Sequence, residues 1–365
     1  AITLTVYHKG DKCVERAYGY IDTDTKLHPV TNATPFDLAS VTKLFTITAF
    51  LLQVDAGKVN IDDPVVSVLP EFGAQGARRI EGGQDPHTLK REPTTITGTV
   101  DVSKVTFRHL LTHTSGLAPW RDLFMNVGDT PPAPGMGNKS VSHEKRLKNA
   151  LELISEYAYV SPLSEAVHYS DLGLISLGAA VARIDGKTSL DQVIYERVAP
   201  SVTFNPPKHE TCAPTEFDNR WRNRRVRGEV HDENACALGG IAGHAGLFGT
   251  ADQVAQLGVR WLLALNGKDS HLSQATAKQA ITNHQEYRGL GWVLRSPELS
   301  SSGNYFSENS FGHTGFTGTS LWIDPDCELV VSLMTNRVYY GRDSLEILPF
   351  RRKLHDAVAL WANAL

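Results

Sequence analysis

A serine, two intervening residues and a lysine, Ser40-Val41-Thr42-Lys43, run directly into Leu44-Phe45-Thr46-Ile47-Thr48-Ala49-Phe50-Leu51-Leu52. Residues three apart on a helix share a face with Cβ atoms about 5–6 Å apart, so Lys43 can reach the Ser40 hydroxyl. The stretch behind Lys43 is apolar almost all round, which predicts a buried helix, and a lysine at its entrance must be paired or neutralised. Desolvation lowers a lysine's pKa, the property a general base needs, and the free N–H groups of a helix N-terminus could hold a developing oxyanion beside the serine. By themselves the four residues equally describe an N-cap serine followed by an ordinary helical lysine. The rest of the chain must decide.

The chain has 365 residues, 41% of them hydrophobic, enough for a large core in one big domain or two smaller ones. A net charge of −4 and a pI near 6.4 supply no field that would draw nucleic acid or an anionic membrane, which leaves a small molecule or peptide as the expected partner. No apolar run reaches about 18 residues, so no transmembrane helix is expected. Residue 1 already lies in a strand-like pattern. If an upstream leader was removed, the protein belongs in the periplasm or another extracytoplasmic space, and otherwise in the cytoplasm. Cys13, Cys212, Cys236 and Cys327 lack metal-type spacing and read as free thiols, with a Cys212–Cys236 pairing as the alternative.

Residues 2–8 and 13–20 carry β-branched and aromatic residues in rough alternation about Lys9-Gly10-Asp11-Lys12, a hairpin. Helical patterns follow at 40–55, just after Asp62-Asp63-Pro64, and at 105–111, 144–159, 171–184, 188–198, 251–265 and 344–365. Residues 291–295, 319–323 and 328–334 read as strands. The first and last strands cannot each bury a face alone, so they are expected to join. The expected fold is α/β of the α+β type: an antiparallel sheet built from N- and C-terminal strands, flanked by helices, with a large mostly helical inserted lobe. That divides the chain into a sheet lobe, residues 1–65 plus 286–365, and a mostly helical lobe, residues 66–285, with the active site at their junction.

Residues 73–103 make a loop too long for a simple connection and a candidate cover for the site, while the proline-rich segment 128–137 must be irregular. Arg220, Arg222, Arg224, Arg225 and Arg227 form a basic cluster expected to be solvated or acid-paired. The glycines of segment 239–246 predict positive φ or a close backbone approach.

Three stretches in this order, Ser40-Val41-Thr42-Lys43, Tyr169-Ser170-Asp171 and His313-Thr314-Gly315, resemble the motif set of the serine β-lactamase and penicillin-binding-protein-like superfamily. They are most similar to the branch of class C β-lactamases, D,D-peptidases and esterases. Leu110-Leu111-Thr112-His113-Thr114-Ser115-Gly116-Leu117 and the segment 239–246 extend the similarity over essentially the whole chain. The resemblance implies Ser40 as nucleophile, Lys43 as its partner and Tyr169 as catalytic tyrosine. It also implies an oxyanion hole from the backbone N–H groups of Ser40 and Phe316, Thr314 and Gly315 on the strand edging the pocket, and no cofactor. Which of Lys43 and Tyr169 takes the proton stays open, and the two are expected to titrate as a unit.

Two departures from the pattern matter. Many relatives carry a lysine where this chain has His313, and a histidine is mostly neutral above about pH 7, so no fixed charge awaits a substrate carboxylate. Asp171 stands where an amide is common, and an ionised carboxylate only accepts hydrogen bonds. It either pairs with Lys43, leaving Tyr169 the better base, or accepts from a substrate N–H or ammonium group. His113 reads as a structural histidine. His231, Asp232, Glu233 and His244 lack the spacing of metal ligands, so no metal is expected and they read as pocket walls. The expected function is a serine hydrolase acting through an acyl-enzyme on small esters, amides or D-amino-acid-containing peptides, in the manner of an esterase or D,D-carboxypeptidase. The alternatives are a class C-like β-lactamase and a penicillin-binding sensor that acylates without turnover.

Overall fold

The computed structural model describes residues 1–127 and 141–364; the segment 128–137, read above as irregular, lies outside the described residues. Strands β1 (Ile2–His8) and β2 (Asp11–Tyr18) form the expected hairpin, tight because Lys9 and Gly10 both take positive φ, 52° and 88°. Strands β3 (Val293–Leu294), β4 (Phe311–Thr314), β5 (Ser320–Asp324) and β6 (Leu329–Thr335) complete a six-stranded sheet in the order β3-β4-β5-β6-β1-β2. Every neighbouring pair is antiparallel. β1 meets β6 from Ile2 opposite Thr335 to His8 opposite Leu329, so the two ends of the chain are joined in one sheet.

The helices that frame the sheet and the site are α1 (Thr42–Asp55), α2 (Phe107–Leu111), α3 (His143–Glu156), α4 (Asp171–Ile184), α5 (Glu233–Ala237), α6 (Ala251–Leu265) and α7 (Ile347–Asn363). α6 and α7 cover opposite faces of the sheet, and strand alternation decides which residues meet which helix. Leu321, Ile323 and Val330 close on Gly258 of α6, where a side chain would leave no room, while Trp322, Val331 and Val6 pack with Val358, Ala359 and Ala362 of α7. All seven residues of β6 are buried, as expected of a strand covered on both faces.

α1 is buried without interruption from Thr42 to Gln53 and lies against α4. Its polar side chains bond inside the protein, as buried polar groups must. Thr46 donates to the Gly243 carbonyl (2.9 Å), Gln53 Nε2 to that of Val181 (2.8 Å), and Thr48 accepts from Trp261 Nε1 (3.0 Å). The glycines of 239–246 behave as the sequence predicts: Gly239, Gly240 and Gly246 take positive φ, and Gly243 touches α4 backbone to backbone.

Several elements are shorter than their patterns. After extended Pro64 there is only a 3-10 turn at Val65–Ser67, where the run of valines disfavours a helix. α2 starts at Phe107, because Thr106 and His109 cap each other reciprocally. Residues 188–198 make one α-turn, Leu190–Val193, followed by a π-turn, Ile194–Val198. Within 73–103, Arg78–Arg79 pairs with Thr99–Val100. The basic cluster is largely acid-paired: Arg222 with Asp218 (2.6 Å), Arg224 with Glu229 (2.7 Å) and Arg227 with Asp22 (3.3 Å). The four cysteines are free, so Cys212 and Cys236 are not joined. Among the described residues no helix is long and apolar enough to cross a membrane.

Gly178 on α4 packs backbone to backbone on Gly243: a Cβ on Gly243 would lie 2.0 Å from the Leu174 carbonyl oxygen and 2.9 Å from the Gly178 nitrogen. Gly243→Ala is expected to destabilise the protein by about 1–3 kcal/mol, the usual cost of overpacking against backbone. Urea unfolding followed by circular dichroism measures it, and an unchanged midpoint would refute the contact.

Candidate active site

Ser40 sits on a strained turn. Ala39, just before it, takes φ +46°, unusual for a residue with a side chain. The buried Asp37 carboxylate holds that turn by accepting from the N–H groups of Ala39 (2.8 Å) and His231 (2.6 Å). Burial pushes the Asp37 carboxyl up, and the two backbone donors oppose this. A 3-10 turn over Ala39–Val41 then delivers Ser40 to the head of α1, with Val41 N–H bonded to the Leu38 carbonyl and Ser40 N–H left out of the turn's own bonding.

Lys43 is only 1% exposed. Its ammonium donates to Ser40 Oγ at 2.9 Å and to the His244 carbonyl at 3.1 Å, and it forms an ion pair with Asp171 Oδ1 at 2.8 Å. Burial pulls the lysine pKa down, but the charges of Asp171 and Tyr169 outweigh it and lift Lys43 to about 12. Of the two arrangements the sequence allows for Asp171, the structure shows pairing with Lys43, and the lysine is charged at neutral pH.

The Tyr169 hydroxyl is buried and faces Lys43 and Ser40; burial pushes its pKa up, with the Lys43 ammonium opposing. Lys43 Nζ lies 4.8 Å from the centre of the tyrosine ring, which also packs against the rings of His113 (4.6 Å) and His313 (5.7 Å). His113 Nδ1 accepts from Ser170 N–H (3.1 Å), so this histidine braces the start of α4. His313 is 4% exposed and its Nδ1–H donates to the Thr314 carbonyl (2.8 Å). Burial, followed by the Lys43 and Arg288 cations, lowers His313 to about 3, so it is neutral.

β4 ends at Thr314, so Gly315, expected on the strand, is instead the first residue of the turn beyond it. The strand stops because Gly315 N–H turns back to the Thr319 carbonyl (2.8 Å). This turn is stitched to the serine turn, with Thr317 Oγ1 donating to the Asp37 carbonyl (2.8 Å) and Thr319 Oγ1 to that of Leu38 (2.9 Å). A Cβ at 315 would collide with Leu38 O at 2.6 Å, so glycine is what lets the two turns meet. Arg337 Nε donates to the Phe316 carbonyl (2.7 Å) from the other side.

Ser40, Tyr169, Asp171 and Phe316 line one cleft of about 240 Å³. Trp120 closes part of it, Pro86 and His87 reach it from the long 73–103 loop, and His231, Asp232, Glu233 and His244 form a further wall. Larger open grooves of about 660 and 580 Å³ lie elsewhere, away from Ser40. In the wall, His244 Nε2 meets Asp232 Oδ1 at 2.8 Å; burial alone would raise Asp232, but His244 and the Ala235 N–H hold it well below the usual carboxylate range. Arg342 bridges Glu216 and Glu233. Asp171, Asp232 and His244 bring potential metal-ligating atoms within 4.8 Å of one another, but the Lys43 ammonium already supplies a positive charge to that cluster.

A serine on the turn before α1 and a lysine in its first turn face a tyrosine and are closed by a turn from an antiparallel sheet. The family model described as Beta-lactamase matches residues 1–355, and the chain belongs to that family. It is 31% identical over 334 residues to an N-acetylmuramyl-L-alanine amidase of Bacillus subtilis (strain 168), covering 83% of this chain and 68% of that one. It is 27% identical over 337 residues to a putative D-alanyl-D-alanine carboxypeptidase of Escherichia coli (strain K12), covering 84% and 70%. Among solved structures, EstCE1, a hydrolase with promiscuous acyltransferase activity, superposes with a TM-score of 0.70 at 22% identity over 98% of this chain and 93% of that one. A penicillin-binding protein homologue from Caulobacter crescentus gives 0.68 at 17% identity, over 98% and 92%. These likenesses share the mixed fold of antiparallel sheet and helices.

Pro86 and His87 come from the 73–103 loop read above as a candidate cover, but the sequence gives no sign of the cleft residues Trp120 and Arg342, or of Arg288, whose guanidinium stands 5.5 Å from the Tyr169 ring. None of these three falls in a periodic pattern or a motif, so nothing in their spacing could have found them.

The Lys43–Asp171 pair is linked to pH. The folded pKa of Lys43, about 12, lies above its ordinary 10.5, so the pair's stabilisation is complete below about pH 10.5 and is lost as pH rises through 12. A shift of this size corresponds to about 2 kcal/mol. Urea midpoints of wild type and Asp171→Asn should therefore differ at pH 8 and converge between pH 10.5 and 12. Equal midpoints at pH 8 would show that the pair contributes nothing.

Proposed function

We propose that this protein is a serine hydrolase working through an acyl-enzyme on small esters, amides or D-amino-acid-containing peptides. The observation that carries the reading is the charged Lys43 ammonium. It donates to Ser40 Oγ and to the His244 carbonyl and is ion-paired with Asp171, which holds it protonated, so Lys43 cannot accept a proton, and the serine O–H is free to point at Tyr169. In this reading the tyrosinate form of Tyr169 takes the Ser40 proton as Oγ bonds to the substrate carbonyl carbon. The carbonyl oxygen becomes an oxyanion held by the N–H groups of Ser40 and Phe316. Tyr169 then returns the proton to the leaving oxygen or nitrogen as that bond breaks. A water, deprotonated by the same tyrosinate, attacks the Ser40 ester, and Tyr169 passes that proton to Ser40 Oγ as the acyl–Oγ bond breaks and the acid leaves. Lys43 keeps its proton throughout and stabilises the negative charge that moves between Ser40, Tyr169 and the oxyanion.

The substrate range follows from two supports. The curated relatives carry the names amidase and carboxypeptidase, and a structural neighbour is a hydrolase with acyltransferase activity. The neutral His313 offers no cation for a carboxylate of the kind β-lactams carry, which supports esters and amides ahead of antibiotics as substrates. A panel of aryl esters, D-amino-acid amides, D-Ala-D-Ala peptides and cephalosporins tests this. Ser40→Ala is expected to lose roughly a thousandfold or more in kcat/KM on whichever substrates turn over; full activity in that variant would end the proposal.

The base assignment has its own signature. Only ionised Tyr169 accepts the proton, and its pKa stands above the ordinary 10, so kcat/KM should climb about tenfold per pH unit across the neutral range. With an alkali-stable anilide the rate should still be rising at pH 9. A plateau starting near pH 7 would exclude Tyr169 as the free base.

A further inference from the structure

Arg288 comes from the turn that leads into β3. Backbone bonds fix it there: its N–H donates to the Gln285 carbonyl (2.9 Å), its carbonyl accepts from His284 N–H (2.8 Å), and it bridges to Val293. The guanidinium is half-buried and stands 5.5 Å from the centre of the Tyr169 ring. Among the described residues no carboxylate closes an ion pair with it and no side-chain hydrogen bond holds it; Glu286 of the same turn acts on it only at longer range. An arginine stays charged at any working pH, and a partly desolvated cation without a partner is costly unless a negative group comes to face it.

The groups around Tyr169 show where that negative charge arises. From the turn before α1 comes Ser40, from α1 Lys43, from α4 Asp171, from the segment after α2 His113, from β4 His313, and from the turn before β3 Arg288. Lys43 and Asp171 cancel at 2.8 Å. His113 and His313 are neutral, each with Nδ1 committed to backbone. With those four groups alone, ionising Tyr169 would leave a net negative charge in a buried cluster. Arg288 is the second cation beside the ring and offsets it.

We propose that Arg288 is a positioning residue for Tyr169, supplying by way of the turn before β3 the second positive charge that a neutral histidine at 313 does not. The inference rests on the reading above, in which tyrosinate is the proton acceptor. Substrate does not need to touch Arg288, which is absent from the cleft lining.

The test follows the ionisation of Tyr169 without turnover. Tyrosinate absorbance is titrated in wild type and in each Arg288 variant, and the Tyr169 step is isolated by subtracting the same protein carrying Tyr169→Phe. An opposite charge at this range shifts a pKa by about one unit or more, so Arg288→Gln should move the step upward by about one pH unit, with Arg288→Lys recovering most of it. The rising limb of kcat/KM on an anilide should move by the same amount, a loss of about tenfold at a fixed neutral pH, falling on kcat rather than KM. If Arg288→Gln does not fold, Arg288→Met, which keeps the packing of the stem, takes its place. An unmoved Tyr169 step in a folded neutral variant overturns the proposal, and so does an equal shift in Arg288→Lys. Because the titration needs no substrate, an inactive wild type would sink the hydrolase reading alone, whereas an active enzyme with an unmoved step would sink the Arg288 inference alone.

Discussion

A lysine ammonium enclosed in an almost wholly apolar helix is the constraint on which the site depends. Placing Lys43 in the core forfeits its hydration, and the loss is tolerable only if every N–H finds an acceptor of the right charge and direction. Its three partners come from separate parts of the chain: Ser40 on the turn before α1, Asp171 at the start of α4, and the His244 carbonyl in the glycine-rich segment. Each requires its own element to be in place. α4 depends on the Ser170 cap and the His113 brace, and the glycine segment on the contact of Gly243 with Gly178. The ammonium therefore acts as a registration point, where a misplaced helix would leave a charge buried without a partner.

A second set of constraints brings the sheet to the serine. The ends of β1 and β6 pair along their length, which carries the C-terminal strands to the start of the chain, and the turn after β4 is then sewn to residues 37–39 by two threonine hydroxyls. The strain at Ala39 is held by Asp37, whose carboxylate also fixes the backbone of His231 on the opposite wall of the cleft. One buried carboxylate thus sets the distance between the two sides of the site, while Arg337 holds the Phe316 carbonyl from behind.

The charges of the cluster are mostly partnered. Lys43 faces Asp171, Asp232 faces His244, Arg342 bridges Glu216 and Glu233, and the two histidines against Tyr169 are uncharged. Among the described residues packed on Tyr169, Arg288 is the cation with no carboxylate in an ion pair, and it stands beside the ring of the residue whose ionised form the proposed chemistry uses.

The Ser40–Lys43 contact was legible in the sequence because it is local: three residues on one helix face give it no choice of partner. The hairpin, α1, α4 and the joining of both chain ends into a sheet were legible for a related reason, since each is dictated by hydrophobic period and by the need to bury a face. Tyr169 and the strand at 313 were reached through a motif resemblance and not from spacing. What the tertiary structure alone decided is the protonation of the cluster. Asp171 pairs with Lys43 across 128 positions of sequence, His313 is neutral because of what covers it, and Arg288 stands at Tyr169 because a backbone turn sends it there. A pKa is set by distance and burial in three dimensions, and neither has a period along the chain.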